Sequence, residues 1–218
     1  MNLLAIDTST RYLSLAVMKD GKVVKRFHRR ADMRHSSILI PTIEKVLKDA
    51  HLSPKGLDGF CISIGPGSFT GLRIGVATVK ALAYALGKPV AAVPTFDVIA
   101  ENAKAFEGII CPVLDARKNK VYACIYESDG KKIKRVSGYL LLSSDELKKK
   151  LKGYKTVTFL GDGVKFIRED GDSIEDWYPR ADVLLRIGAE YFRKGKFTKS
   201  GELQPLYLYS KECDITGW

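Results

Sequence analysis

The chain has 218 residues, of which 45% are hydrophobic and 28% are charged, and its formal net charge is +11. This composition excludes a disordered chain, because it supplies enough apolar residues to bury a core, and the length allows one large domain or two small lobes. No apolar stretch approaches the roughly 18 uninterrupted residues of a membrane helix. The N-terminus also lacks the basic segment and the apolar core of a signal peptide. We therefore expect a cytoplasmic protein with no membrane partner.

The positive charge is spread over both halves of the chain, but three segments concentrate it. In chain order these are Lys22, Lys25, Arg26, Arg29, Arg30 and Arg34, then Lys131, Lys132, Lys134 and Arg135, then Lys148, Lys149, Lys150, Lys152 and Lys155. An acidic stretch over 169–176 opposes them. The chain has only one Gln and three Asn, a bias typical of the ion-rich surfaces of thermophilic proteins. Two interpretations stay open: a solvated surface, or a patch that faces RNA.

The first half predicts a three-stranded antiparallel meander followed by alternating helices and strands. Asp20-Gly21 is typical of a two-residue hairpin turn, and Ser36 or Ser37 can cap a helix. Gly87 is typical of a residue that ends a helix. The predicted strands cover 3–6, 12–18, 23–28, 60–64 and 90–93, and the predicted helices cover 36–50, 70–86 and 95–106.

The second half repeats this order of elements. Its predicted strands cover 109–114, 121–126, 130–142 and 156–160, its predicted helices cover 143–153 and 181–194, and 206–209 is a last extended segment. Ser143 and Glu146 form a capping-box pattern. Asp115 follows its strand as Asp7 follows the first strand, which indicates an internal duplication. We expect an N-terminal lobe over 1–106, with the tail 202–218 packed back on it, and a smaller C-terminal lobe over 107–201.

Four cysteines lie far apart in the sequence and form no C-x-x-C pair. Cys61, Cys111 and Cys124 sit inside apolar runs, where a free cysteine packs as a small hydrophobic residue, and Cys213 is near the C-terminus. The spacing therefore predicts neither a zinc site nor a disulfide framework.

Three motifs in this order resemble those of a known family. The first is Asp7-Thr8-Ser9-Thr10 after an apolar strand, which resembles the first phosphate loop of the actin-like ATPases. The second is the glycine-rich run Gly65, Pro66, Gly67, Ser68, Phe69, Thr70, Gly71, Leu72 and Arg73. The third is Asp115-Ala116-Arg117 before Val121. Together they resemble the TsaB (YeaZ) family, and the resemblance covers nearly the whole chain.

The resemblance implies a fold, a function and partners. The fold is α/β, a duplicated actin-like ATPase (ASKHA, ribonuclease H-like) fold with two lobes. The function is that of a non-catalytic paralogue of the TsaD enzyme, belonging to a group once named glycoprotease-like. With a TsaD-like paralogue as heterodimer partner and a TsaE-like ATPase, it supports threonylcarbamoyl transfer to the tRNA adenosine next to the anticodon. Alone it is expected to form a homodimer, and its contact with tRNA is indirect or weak.

The residues themselves argue against an enzyme. TsaD-like relatives hold a metal with an H-x-x-x-H pair, but His35 is followed four positions later by Leu39. A second phosphate loop needs glycines so that backbone N–H groups can approach a phosphate, whereas this chain has Ala116 and Arg117 there. We therefore predict no catalytic residue, no metal and no cofactor. Asp7, Thr8, Ser9 and Asp115 remain as vestigial candidates for nucleotide binding.

The helices near 36–50 and 70–86 are the predicted partner surface. Gly67, Gly71 and Gly75 recur every four residues and leave a stripe without Cβ atoms on the second helix, beside a separate apolar face. Such a helix suits burial on two sides, either by its own core and a partner or entirely within its own domain. The predicted interface residues are Leu39, Ile43, Leu47, Gly71, Gly75, Val76, Val79 and Leu82.

Two rival functions stay open. An actin-like ATPase or small transferase acting alone predicts ATP turnover by the purified chain, lost in Asp7→Ala. A basic RNA-binding module predicts salt-dependent tRNA binding without partners. The glycine-rich turn favours neither, since it lacks the G-K-[ST] of a P-loop.

Overall fold

Strands and helices alternate through residues 1–32, 34–168 and 177–209, which the computed structural model describes. The strands are β1 Leu3–Asp7, β2 Tyr12–Lys19, β3 Lys22–Arg30, β4 Gly59–Ser63, β5 Val90–Val93, β6 Glu107–Arg117, β7 Lys120–Ala123, β8 Tyr126–Asp129, β9 Ile133–Arg135, β10 Leu140–Ser143 and β11 Val157–Leu160. The α-helices are α1 His35–Asp49, α2 Phe69–Leu86, α3 Thr95–Ala100, α4 Ser144–Leu151 and α5 Ala181–Arg193. The acidic stretch 169–176 and Cys213 lie outside the described residues.

The first sheet has the order β3-β2-β1-β4-β5. β1 pairs antiparallel with β2 and parallel with β4, which pairs parallel with β5. The predicted hairpin between β2 and β3 is confirmed: Asp20 and Gly21 both have positive φ, 51° and 79°, as a tight two-residue turn requires. The predicted meander of three strands is therefore present.

The central strand of this sheet, β1, is buried on both faces, so it carries a continuous apolar run. Along β1, Leu4 and Ile6 join the core that also contains α1 and α2 residues. Leu3 and Ala5 point to the opposite side and join a core that contains α5 residues. This alternation follows from the two-residue period of a strand. The sheet is thus the middle layer between α1 with α2 and α5.

The helix predicted for the second lobe packs on the first sheet instead. α5 contacts β1, β2, β3, β4 and β5, and the chain divides into one unit of 1–99 with 178–205 and another of 100–177 with the segment from 206 on. Gly188 permits this approach, because a Cβ there would overlap Sγ of Cys61 on β4. The tail 202–218 was predicted to pack on the N-terminal lobe. Leu203 does lie in the first core, whereas 206–209 belong to the second unit. Residues 210–218 lie outside the description.

The second sheet is built around β6. β6 pairs antiparallel with β7 and β8 and parallel with β11, while β10 pairs with β7. β7 and β8 were predicted as one strand, and they do keep one register, with Ala123 opposite Val113 and Tyr126 opposite Ile110. The ladder is interrupted between them, beside Pro112, because proline has no N–H to donate.

The two sheets repeat one plan, as the sequence predicted. The order β3-β2-β1-β4 in the first sheet corresponds to β10-β7-β6 with β11 beside β6 in the second. In each case three antiparallel strands are followed by a helix, α1 or α4, and then by a strand parallel to the first. The chain is therefore a duplicated α/β protein of the actin-like type.

The ends of the helices show which of the predicted capping residues do cap a helix. Ser68 caps α2 by accepting from Gly71 N, and Gly87 ends it with a left-handed φ of 64°. Ser143 and Glu146 form the predicted capping box of α4. The predicted serine cap of α1 is wrong, because the helix begins at His35 and has no side-chain cap.

Candidate functional site

The loop after β1 holds the first of the predicted site residues, and it is closed on itself. Asp7 and Thr8 have no exposed surface, and Ser9 is 1% exposed. Oδ1 of Asp7 accepts hydrogen bonds from the backbone N of Ser9 at 3.0 Å and from its hydroxyl at 2.9 Å. The N–H and hydroxyl groups of Ser9, which a phosphate loop would offer to a ligand, are therefore used within the loop.

The carboxyl group of Asp7 is in an unfavourable environment. Burial raises its pKa from 3.8 to about 6, against the lowering effects of the Ser63 hydroxyl, of Ser9 and of the His35 charge. The Ser63 hydroxyl lies close enough to act on this pKa but not in hydrogen-bond geometry. Among the described residues, Oδ2 of Asp7 and Oγ of Ser63 lack a hydrogen-bond partner. A buried carboxylate with one unpaired oxygen is costly, so the neutral form is favoured.

The glycine-rich motif fastens this loop to α2. The backbone N of Ser68 donates to the carbonyl oxygen of Ser9 at 2.7 Å, and Oγ1 of Thr8 donates to the carbonyl oxygen of Gly71 at 2.8 Å. A Cβ at Gly71 would overlap the carbonyl oxygen of Thr8, and one at Gly75 would overlap Oγ1 of Thr8. The motif therefore serves close packing of two backbones inside the first unit.

This packing gives the predicted interface residues contacts within their own lobe. Gly71 and Gly75 face the chain's own loop after β1, and most of the other predicted interface residues belong to the first core. The buried ones are Leu39, Ile43, Leu47, Gly71, Gly75, Val76 and Val79, and Leu82 is partly buried. The apolar spacing of both helices is accounted for by packing on the sheet beneath them, which favours the alternative of burial within the same domain for these residues.

A different face of α2 is exposed. Only six of its 18 residues are buried, and Tyr84 is 80% exposed. Ala77 and Ala81 lie on the same side of the helix as Tyr84, since four- and three-residue steps separate them. By length and composition alone, α2 could also span a membrane. A core helix of a folded lobe meets the same criteria, and Arg73 and Lys80 interrupt the apolar run of α2.

His35, Cys61 and Cys111 lie in structural surroundings. Nε2 of His35 lies 3.2 Å from the carbonyl oxygen of Tyr12, and Leu39, four positions later, is in the core. Cys61 and Cys111 are buried as predicted, and burial raises the pKa of both thiols. Within 1–32, 34–168 and 177–209, no group of three or more His, Cys, Asp or Glu side chains is placed to hold a metal ion.

The end of β6 holds the last predicted site residue, Asp115. Its backbone N donates to Oδ1 of Asp162 at 3.0 Å, and its own Oδ1 accepts from the backbone N of Arg117 at 2.8 Å. Arg117, Lys118 and Asn119 all have left-handed φ, of 65°, 49° and 56°. Such a run is strained for residues with side chains. A cavity of about 370 Å³ beside it is lined by Asp115, Arg117, Lys118, Asn119, Val121, Ser144 and Phe166.

The Gly161-Asp162-Gly163 turn explains this arrangement. A Cβ at Gly161 would overlap the carbonyl oxygen of Val113, and Gly163 donates its N–H to that same oxygen at 3.0 Å. The turn therefore packs against β6 and presents Asp162 to Asp115. Long side chains stand where a phosphate loop needs glycines, so this loop does not offer backbone N–H groups in the manner of an actin-like ATPase.

Comparison with known proteins identifies the family. The family model described as "TsaD: tRNA N6-adenosine threonylcarbamoyltransferase" matches residues 28–187. A protein of Buchnera aphidicola, "tRNA threonylcarbamoyladenosine biosynthesis protein TsaB", is 31% identical over 193 residues, which cover 84% of this chain and 90% of its own length. The chain belongs to the TsaB (YeaZ) family.

Other TsaB proteins extend the similarity. The Escherichia coli protein is 28% identical over 95% of this chain and 94% of its own length. The Bacillus subtilis protein is 36% identical over 58% of this chain, a match that spans 56% of its own length. The solved structure "YeaZ from Pseudomonas aeruginosa" has a TM-score of 0.81 and 25% identity, and covers 95% of this chain and 99% of that one. The sequence comparisons and the structure comparison therefore agree that this chain and these relatives share the two-lobed α/β fold.

Proposed function

We propose that this chain takes part in tRNA threonylcarbamoyladenosine biosynthesis as a non-catalytic partner that activates a TsaD-like paralogue, together with a TsaE-like ATPase. The pathway is the one in the names of its TsaB relatives. The subunit role rests on the closure of the loop after β1.

The closed loop is the observation that carries the proposal. An actin-like ATPase binds phosphates with loop N–H groups and holds Mg²⁺ through an accessible carboxylate. Here the Ser9 donors are directed at Asp7, and the Thr8 hydroxyl is directed at Gly71. Opening this loop for a nucleotide would break these bonds and separate two backbones packed in contact. The residues that an enzyme of this fold would use on a substrate thus stabilise the fold.

The exposed sides of α1 and α2 are the proposed partner surface, in place of the residues predicted from sequence. Ile40 on α1 is 45% exposed, and Phe69 and Tyr84 on α2 are exposed as well. The two helices contact each other, and the apolar residues of this surface have no buried role in their own lobe. The TsaD-like paralogue is the proposed occupant, or a second copy of this chain when the paralogue is absent.

An omission assay tests the subunit role. The chain, a TsaD-like protein and a TsaE-like ATPase are mixed with unmodified tRNA and a threonylcarbamoyl donor, and modified adenosine is measured by mass spectrometry of nucleosides. We expect no product when any one protein is omitted, and no ATP turnover by the chain alone. ATP turnover by the purified chain, lost in Asp7→Ala, would favour the ATPase or transferase acting alone. Full modification without the chain would overturn the proposal.

Charge placed on the exposed side of α2 tests the partner surface. We expect Ala81→Glu with Tyr84→Glu to abolish co-elution with the TsaD-like protein and to lower modification at least about tenfold, because two buried charges would be unpaired in the complex. Arg186→Glu on the exposed side of α5 is the control and leaves both unchanged. Equal thermal midpoints of all variants show that the fold is intact. Unchanged co-elution of the double variant would refute this surface.

A further inference from the structure

A basic segment with one aromatic ring forms the end of α4 and the turn after it. Residues 148–155 contain five lysines and Tyr154, and we call them the lysine–tyrosine segment. Leu147 and Leu151 are buried in the core around β6, so the remaining sides of α4 are turned toward solvent. All five lysines are exposed, namely Lys148, Lys149, Lys150, Lys152 and Lys155.

The two carboxylates that precede the segment stand at the opposite end of the helix. The carboxylate of Glu146 accepts hydrogen bonds from the backbone N and the hydroxyl of Ser143 at 2.8 and 2.9 Å, and these bonds hold the pKa of Glu146 below its usual value. Asp145 is also in the first turn, where the helix dipole favours negative charge. Among the described residues, no ion pair joins any of the five lysines to a carboxylate.

The other two basic segments lie beside carboxylates. In the first, Nε of Arg26 lies 3.1 Å from Oδ2 of Asp182. In the second, Oδ1 of Asp129 accepts from the backbone N of Lys131 and of Lys132, at 2.9 and 2.6 Å, at the tip of the β8–β9 hairpin. The lysine–tyrosine segment differs from both, because its cations follow one another and pair with no carboxylate of the described chain.

Tyr154 places an aromatic ring among these charges. Its backbone N donates to the carbonyl oxygen of Leu151 at 3.0 Å, which fixes the residue in the turn that follows α4. The residue is 43% exposed, and Lys152 and Lys155 flank it in the sequence. A ring exposed beside positive charges offers a face on which a base can stack.

We propose that the lysine–tyrosine segment binds RNA, with phosphates at the lysines and an unpaired base stacked on Tyr154. The inference rests on the proposed function, which makes a tRNA the RNA concerned. Lysine ammonium groups neutralise phosphates, and aromatic rings bind unpaired bases by stacking. A protein partner fits less well, because protein interfaces are depleted in lysine and enriched in arginine, whereas the segment has five lysines and no arginine.

Binding of fluorescein-labelled, unmodified tRNA tests the proposal. It is measured by fluorescence anisotropy over a series of salt concentrations, with the full chain alone and in complex with the TsaD-like protein. We expect Lys149→Gln with Lys152→Gln to weaken binding about tenfold and to reduce the slope of log K against log salt by roughly 1.4–1.8, because two phosphate contacts are lost. Lys131→Gln with Lys132→Gln removes the same charge from the β8–β9 hairpin. It is the matched control and should stay within about twofold of the parent.

A second pair of variants tests the ring. Tyr154→Ser should weaken binding at least about fivefold, because a stacked base loses its support, whereas Tyr154→Phe keeps the ring and should stay within about twofold. Equal thermal midpoints of the variants and the parent show that the fold is intact. Equal binding by Tyr154→Ser and the parent would refute the stacking.

Four further outcomes would overturn the inference. Equal binding by the lysine variant and the parent would leave the lysines as a solvated surface that complements the C-terminal end of α4. An unchanged salt slope would mean that carboxylates of the chain itself already neutralise these lysines. An equal loss in the hairpin control would mean non-specific attraction. Loss of co-elution with the TsaD-like protein at unchanged RNA affinity would make the segment a contact for an acidic protein surface. If the proposed function fails in the omission assay, the chain-alone measurement still decides whether the segment binds RNA.

Discussion

Asp7 has a carboxyl group that no water reaches, and the free energy of ionising it is the main energetic feature of the first loop. A rise in pKa from 3.8 to about 6 corresponds to about 3 kcal/mol of preference for the neutral form. The folded chain therefore retains a proton between about pH 4 and pH 6 that the unfolded chain has released. Stability from this group is highest below about pH 4 and is lost as the pH rises through 6.

Replacing Asp7 by Asn tests this at the residue scale. The Asn carbonyl can keep the bonds from Ser9, and its amide can donate to the unpaired Ser63 hydroxyl. We expect the difference in unfolding free energy between Asp7→Asn and the parent to rise by about 2.4 kcal/mol in favour of the variant from pH 4 to pH 7.5. Urea unfolding at both pH values measures it.

The same variant also separates the functional alternatives. In the proposed role, Asp7→Asn keeps modification by the complex within about twofold of the parent. A pH-independent difference in stability would show that the pKa of Asp7 is the same in the folded and the unfolded chain, which would contradict the prediction. Lost modification with an intact fold would point to an enzyme.

At the scale of elements, α5 decides how the first sheet is covered. Leu184, Leu185 and Ala189 are buried in the core between α5 and the first sheet, and Gly188 lets the helix lie close to β4. Because glycine is poor in a helix interior, by about 1 kcal/mol relative to Ala, its presence in the middle of α5 is explained by this approach.

A double-mutant cycle tests this contact. Gly188→Ala should destabilise the protein by about 1–3 kcal/mol, because its Cβ meets Cys61 Sγ. Adding Cys61→Ala should recover part of that loss, with a coupling energy of about 1 kcal/mol in urea unfolding. Gly153→Ala, with open space around it, is the control and should stay near zero. Strictly additive effects would mean that α5 does not pack at this distance.

Local signals predicted the elements well, but they did not predict which element packs on which. Asp20-Gly21, Ser68, Gly87 and the Ser143–Glu146 pair act within a few residues, so the sequence contains all that determines them. The apolar spacing of α1 and α2 predicts a buried side without saying whether the chain's own sheet or a partner covers it. For α5, the one sequence feature that indicates close packing on another element is Gly188, a glycine on an apolar helix face.

The sequence names candidate residues for the site but does not predict which residues they contact. Asp7 stays a vestigial candidate for nucleotide binding, and its surroundings include Ser63 and, next to its loop, the glycine-rich motif, which are remote in sequence. The rings of Tyr12, His28 and Tyr178 likewise pack together from three separate segments, and no spacing rule connects them.

At the scale of the whole molecule, the first unit is discontinuous: it needs both 1–99 and 178–205. Residues 1–106, the lobe predicted from sequence, would leave one face of the first sheet bare at Leu3, Ala5 and Ala16. An uncovered apolar sheet face promotes aggregation.

Fragments test this division. We expect 1–106 alone to be insoluble, whereas 1–99 joined to 178–205 by a Gly/Ser linker of about 20 residues should be soluble, with dispersed amide resonances. The same fusion with Leu184→Lys is the control and should fail, because the lysine would lie inside the core. A folded, soluble 1–106 would contradict the division.

The return of α5 to the first sheet also sets an order of events during synthesis. Residues 1–99 leave the ribosome first, but their sheet waits for a helix that ends at Arg193. At about 5–20 residues per second, that delay is roughly 5–20 s. During this delay one face of the nascent first sheet is uncovered. Most of the chain of the second unit, which lies between the two parts of the first, is available before α5 is complete. The second lobe to be translated is therefore the first for which all the described core residues are available, since they extend only to Ile167. The nascent chain depends on chaperones most while that lobe is being made, because one face of the first sheet is then still uncovered.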